Sequence, residues 1–158
     1  MAIRHFVRHI ALLVLAALVF VSCSASTPSL AMPGIPYAWQ VPENLLQRLA
    51  AEPLTETDGE FAASIFEAGG TSAATVTYAP ITGAAPSILM SVFWFPAADF
   101  DRAQNPNEPP RFGVEVLRTN GQVLAVAGPT DAMYDGEDGA AITTLYTLMY
   151  DPNSWQST

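Results

Sequence analysis

The sequence predicts an α+β domain: an antiparallel sheet of about five or six strands packed against two or three helices, one of them C-terminal. Three observations carry that expectation. Ser87–Phe95 (SILMSVFWF) is apolar on both alternating faces, as a strand covered on both sides must be. Asn120-Gly121 divides two β-rich runs, 114–119 and 122–127, and this dipeptide favours a two-residue type I′ hairpin turn. Near the C-terminus Ile142, Leu145, Leu148 and Met149 recur at helical spacing.

The chain opens with a segment of another kind. Arg4 and Arg8, with His5 and His9, precede an uninterrupted apolar run from Ile10 to Val21. That run is too short for a hydrocarbon core that takes about 20 helical residues, and it suits the apolar region of a signal peptide. Residues 1–22 are therefore expected to be a signal peptide. Cys23 follows Phe20, Val21 and Ser22. A small residue before a cysteine at this boundary resembles the lipobox of bacterial lipoproteins, with Phe20 standing where that motif usually carries an aliphatic. The resemblance implies diacylation of the Cys23 thiol, hence a membrane partner. Two alternatives remain open, cleavage at a small-x-small site after Ala25 or Ala31 and an uncleaved signal anchor. All three place the remaining chain outside the cytoplasm.

Residues 23–33, rich in small residues and proline, read as a flexible spacer, and 34–158 as one globular domain. Ile35–Val41 is expected as an edge strand because Pro36 has no N–H for a ladder. Pro42–Ala50 is expected as a short helix with Leu45, Leu46 and Leu49 on its stripe. Residues 60–67 and 74–79 read as strands separated by Gly69-Gly70. After the central strand, Pro96 starts a short helix over 97–104, and 105–110 is a proline-stiffened loop. In the hairpin the turn pairs Thr119 with Gln122, Leu117 with Leu124 and Glu115 with Val126. The expected core side is Val114, Val116, Val123, Ala125 and Ala127. Asp138 or Asp135 then caps a helix running to about Tyr150, which Asp151-Pro152 ends.

Composition excludes more than it names. The 158 residues carry six basic and fifteen acidic side chains, and from Cys23 onward four arginines face all fifteen acids, formally −11. A nucleic-acid partner is excluded, since phosphate binding needs clustered basic charge. At 50% hydrophobic residues the chain can build a core. One cysteine permits no intrachain disulfide. Beyond residue 22 there is no histidine and no lysine. Ser-His-Asp and Cys-His catalysis, Schiff bases and the usual zinc or copper ligand sets are thereby removed. The ten glycines match neither phosphate-cradling motif. Carboxylate chemistry survives, but no pattern pairs two acids across a cleft as a glycosidase requires. The expectation is a non-catalytic binding or assembly domain without a cofactor; the alternative is a small-ligand or divalent-cation binding protein using the acidic 131–138 turn, and a carboxylate-only hydrolase comes third.

The densest acidic stretch is 131–139, where Asp131, Asp135, Glu137 and Asp138 are candidate cation ligands and calcium is the cation to consider. An EF-hand loop would need an oxygen ligand at 133 and Glu at 142, where Met133 and Ile142 stand. The competing reading is a solvated turn whose carboxylates cap the last helix. Tyr134, outside any periodic element, is the candidate surface contact, whereas Trp94 is expected in the core.

SILMSVFWFPAADFDRAQ, NGQVLAVA and YDGEDGAAITTLYTLM, in that order, resemble small secreted bacterial lipoproteins with a PsbP-like α+β domain. The likeness lies over about the last 75 residues, at the level of fold. It implies a sheet packed between helices and a binding or assembly role, with an envelope protein as partner.

Overall fold

A computed structural model describes residues 27–105, 107–128 and 136–158. The fold is α+β, with antiparallel sheets of three and five strands and four helices among the described residues, one of them C-terminal. The elements are β1 (Ser29–Ala31), β2 (Tyr37–Gln40), α1 (Glu43–Leu46), β3 (Leu49–Leu54), α2 (Glu60–Glu67), β4 (Ser72–Tyr78) and β5 (Ser87–Pro96). There follow α3 (Ala97–Ala103), β6 (Val114–Thr119), β7 (Gln122–Ala127), α4 (Gly136–Met149), a 3₁₀ turn (Pro152–Ser154) and β8 (Trp155–Ser157).

The large sheet has the order β3-β4-β5-β7-β6, so the doubly apolar strand is its centre, as its sequence requires. Val92 and Met90 enter one core, Phe93 and Phe95 the other. Near its start the alternation breaks: the register slips opposite Val76/Thr77, leaving Leu89 buried with Met90 while Ile88 is exposed. The hairpin turns on Asn120 (φ 49°) and Gly121 (φ 73°) and pairs Thr119 with Gln122 and Leu117 with Leu124. A second irregularity then opposes Glu115 to Ala125 and Val114 to Val126, correcting the expected Glu115–Val126 pair and turning Val114 outward. All of Val123–Val126 is buried, because β7 is covered on both faces and has no single core side.

Several expected elements are replaced. Residues 60–67 form a helix, not a strand. Ala62 and Ile65, three apart, are its buried positions, alanine favours the helix, and Gly69 and Gly70 close it. Their N–H groups donate to the carbonyls of Phe66 (3.0 Å) and Ile65 (2.9 Å), and Gly69 takes φ 100°. This is a Schellman ending. The helix expected over 42–50 stops at Leu46, and Leu49 opens β3, an edge strand that tolerates Pro53.

β2 is not an edge strand. It lies between β1 and β8 in the small sheet, with Pro36 just outside the ladder. β1 and the buried Met32 come from the segment expected as a flexible spacer, so ordered structure begins before Gly34. β8 was not expected; it follows a 3₁₀ turn in which Asp151 Oδ1 accepts from the Asn153 N–H at 2.9 Å. Trp155 stacks on Trp39 at 5.9 Å and donates its indole N–H to the Met149 carbonyl at 3.1 Å, tying the C-terminus to α4. Trp94 is only partly buried, against Tyr37 at 5.6 Å.

Two cores result. One face of the large sheet packs against α4, α1 and the small sheet through Trp39, Leu45, Ile142, Leu145 and Met149. The other carries Phe93, Phe95 and Val123 against Ile65 of α2, Phe100 of α3 and Phe112. Gly113 (φ 75°) makes that last contact reachable, since a Cβ there would lie 2.4 Å from the Val126 carbonyl oxygen. Among the described residues no helix is long and apolar enough to cross a bilayer.

Candidate functional site

The acidic turn is described only from Gly136 onward. Cys23, Asp131, Tyr134 and Asp135 lie outside the described residues. Glu137 and Asp138 sit side by side in the first turn of α4 with opposite environments. Glu137 is exposed, beside a shallow depression shared with Pro42, Leu45 and Ile81. Asp138 is 3% exposed. Its Oδ1 accepts from the Tyr78 hydroxyl and the Ile81 N–H, each at 2.7 Å, and its Oδ2 from the Thr82 N–H at 3.3 Å.

The reading of Asp138 as a solvated cap is therefore corrected. It is not a solvated helix cap: it lies inside the first turn of α4, out of solvent, and its oxygens accept from β4 and the turn after it. The Ile81 N–H, with help from the Tyr78 hydroxyl and against the penalty of burial, holds this carboxyl below the usual aspartate range. The carboxylate fixes the start of α4 to a strand sixty positions earlier, and nothing local in the sequence marks that partnership. Among the described residues no three His, Cys, Asp or Glu side chains converge on a point that would hold a metal.

A groove with room for a ligand lies elsewhere, at the open end of the aromatic core. Leu54, Phe66 and Ala73 belong to that core, and their outer surfaces line a groove of about 500 Å³. Pro53 and Thr55–Thr57 form one wall where β3 runs towards α2, Thr71 and Ser72 the start of β4, and Pro33-Gly34 the turn before β2. The lining is mainly apolar, with hydroxyls at the rim.

Each wall is held in place. The Asp58 Oδ2 accepts from the Thr55 N–H at 2.6 Å and the Thr55 hydroxyl at 2.7 Å, while the Asp58 N–H donates to the Thr55 carbonyl at 3.0 Å. The bond from the Thr55 hydroxyl, more than any other cause, draws the Asp58 carboxyl below its ordinary value. The loop is thus a closed turn presenting Glu56 and Thr57. Thr71 is tied to the central strand by its N–H and hydroxyl, both donating to the Trp94 carbonyl at 2.8 and 3.1 Å. Gly34, at φ 72°, brings the opposite turn close; a Cβ there would stand 3.3 Å from Ser72 Oγ.

No family model, curated protein or solved structure matches this chain.

The groove's lining carries one carboxylate and no basic side chain. Glu56 is on its wall, and Glu52 and Glu67 flank the wall residues Pro53 and Phe66 in sequence; all three are exposed. The arginines are engaged elsewhere. Arg118 pairs with Asp101 and Glu115, Arg102 with Asp99, Arg48 donates to the Ala79 carbonyl, and Arg111 lies over the Phe112 ring at 5.0 Å. Sequence reasoning missed this groove because its walls come from four separate segments whose prolines, threonines and glycine read as ordinary turns.

Proposed function

We infer that the protein is a non-catalytic binding or assembly module working outside the cytoplasm, tethered to the membrane through a lipid on Cys23, and that the groove beside Thr57 is its contact surface. The signal-like leader, the cysteine at its boundary and the resemblance to PsbP-like lipoproteins support the location and class. One structural observation carries the rest: an apolar groove whose walls are fixed by internal hydrogen bonds, suited to receive a side chain without first ordering itself. Its wall residues supply hydroxyls and one carboxylate, a set suited to recognition rather than to nucleophilic attack.

The reading is tested in the native envelope with a photo-crosslinking side chain placed at Thr57 and, separately, at Asn120 on the hairpin tip. A discrete adduct from position 57 that is missing from position 120 is the expected result. Indistinguishable adduct patterns would remove the groove as the contact surface. The mass of the native N-terminus decides the tether independently, with diacylated Cys23 expected.

A further inference from the structure

The groove's chemistry specifies its occupant. We propose that it receives an extended segment of a partner protein in which a bulky apolar side chain is flanked by arginine or lysine, a reading that rests on the groove being the contact surface. The apolar walls formed by Leu54, Phe66 and Ala73 call for an aliphatic or aromatic side chain, and about 500 Å³ holds one or two of them in an open groove. The Glu56 carboxylate on the wall, with no basic side chain in the lining, calls for positive charge. Glu56 stands on the wall, Glu52 and Glu67 are exposed and adjoin the wall residues Pro53 and Phe66 in sequence, and among the described residues none of the three has an ion-pair partner. A cationic flank therefore meets carboxylates that no arginine of this chain already neutralises.

The same charge balance argues against other occupants. A second copy of this chain brings an acidic surface, and its arginines are already engaged by carboxylates, a carbonyl and a ring. An anionic lipid surface would be repelled by the carboxylates. The rigid 55–58 turn keeps the ordering cost on the protein side low, so apolar burial and charge attraction are expressed as affinity rather than spent on closing a loop.

The test uses the full chain and three fluorescein-labelled octapeptides with blocked ends, alternating Leu-Arg, Leu-Ser and Leu-Glu, read by fluorescence anisotropy. The Leu-Arg peptide is expected to bind about tenfold or more tighter than Leu-Ser, and Leu-Glu not at all. That preference should shrink in about 0.5 M salt and on Glu56→Gln. Thr57→Trp, at an exposed position, should fill the groove and abolish binding while leaving the melting curve in place. Equal binding of Leu-Arg and Leu-Ser, lost in Thr57→Trp, would overturn the cationic preference and leave the groove standing as a contact surface. Leu-Arg binding that survives Thr57→Trp would overturn the site, as would binding of no peptide. Self-association of the unliganded chain or capture by phosphatidylglycerol vesicles, if abolished by Thr57→Trp, would replace the peptide with a second copy or a lipid.

Discussion

The two faces of the large sheet are closed in different ways. The aromatic face is covered by neighbours in sequence. α2 lies between β3 and β4, α3 follows β5 directly, and Phe93, Phe95, Phe100 and Phe112 fill the space with rings 5.5–6.5 Å apart. The opposite face is covered by the two ends of the described chain, with β1, β2 and α1 from one and α4 and β8 from the other. Short local helices cover a face incompletely, and the aromatic core is left open where Leu54, Phe66 and Ala73 meet the groove. Distant elements need a directional contact to find their place, and the face they cover contains one, Asp138 on Tyr78, Ile81 and Thr82. The open face carries the proposed contact surface, and the closed face carries the anchor.

The sharpest way to break this comparison is to hollow each core separately. Phe95 and Leu145 are both fully buried, one on each face. Phe95→Ala is expected to cost about 3–5 kcal/mol and Leu145→Ala about 2–5 kcal/mol. β5 and β7 contribute side chains to both cores, so either variant should shift one cooperative urea transition in which fluorescence and far-ultraviolet dichroism coincide. Two separated transitions in Phe95→Ala would show that the aromatic layer unfolds on its own. The sheet would then be a platform bearing independent halves.

The sequence announced what was local and concealed what was distant. β5, the Asn120-Gly121 hairpin, α3 and α4 follow from patterns within a dozen residues: doubly apolar alternation, an I′ turn, a proline start and a helical stripe. α2 reads as a strand in the sequence because Glu60–Glu67 carries Phe61, Ile65 and Phe66 among alanines, and so short an apolar run fits either period. β1 and β8 are three residues each, too short for any periodicity, and exist through their pairing with β2. The α+β class was therefore legible while the second sheet was not. At the level of sites, the acidity around Asp138 was visible, but its burial depends on Tyr78. The groove depends on Pro33, Pro53, Phe66 and Ser72 meeting in space.

Asp138 sharpens the comparison at the next scale. Asp138→Asn keeps the shape but removes the charge and places an amide donor among three donors, so it should lower the melting temperature at neutral pH clearly, though less than Phe95→Ala. The pH dependence supplies the sign. A carboxyl whose folded pKa is depressed stabilises the fold above its unfolded value of about 3.9, and this contribution fades as pH falls through the folded pKa. The wild-type protein should lose stability on acidification below about pH 4, and the gap to Asp138→Asn should narrow across that window. Asp58 and Asp101 are also depressed and titrate in both proteins, so the difference between the two curves isolates Asp138. Parallel curves would mean that the anchor works through its shape rather than its charge.

The smallest effect is expected where the ionic contacts are most numerous. The Arg118 guanidinium donates to Asp101 at 2.6 and 3.0 Å and to Glu115 at 2.6, 3.0 and 3.2 Å, and these carboxylates raise its own pKa further. Yet the cluster is exposed, so water competes for each partner and salt screens the charges. Arg118→Ala should lower the melting temperature only slightly at low ionic strength and leave it unchanged in about 1 M salt. A loss at high salt matching that of Asp138→Asn would show that surface pairing near β6 supports the fold as strongly as the buried anchor does. The expected inequality follows from geometry. Asp138 joins elements that sequence does not bring together, whereas Arg118 and Glu115 lie on one strand and Asp101 lies in α3, an element already seated by Phe100. An ion pair between groups placed by other forces adds little to their placement.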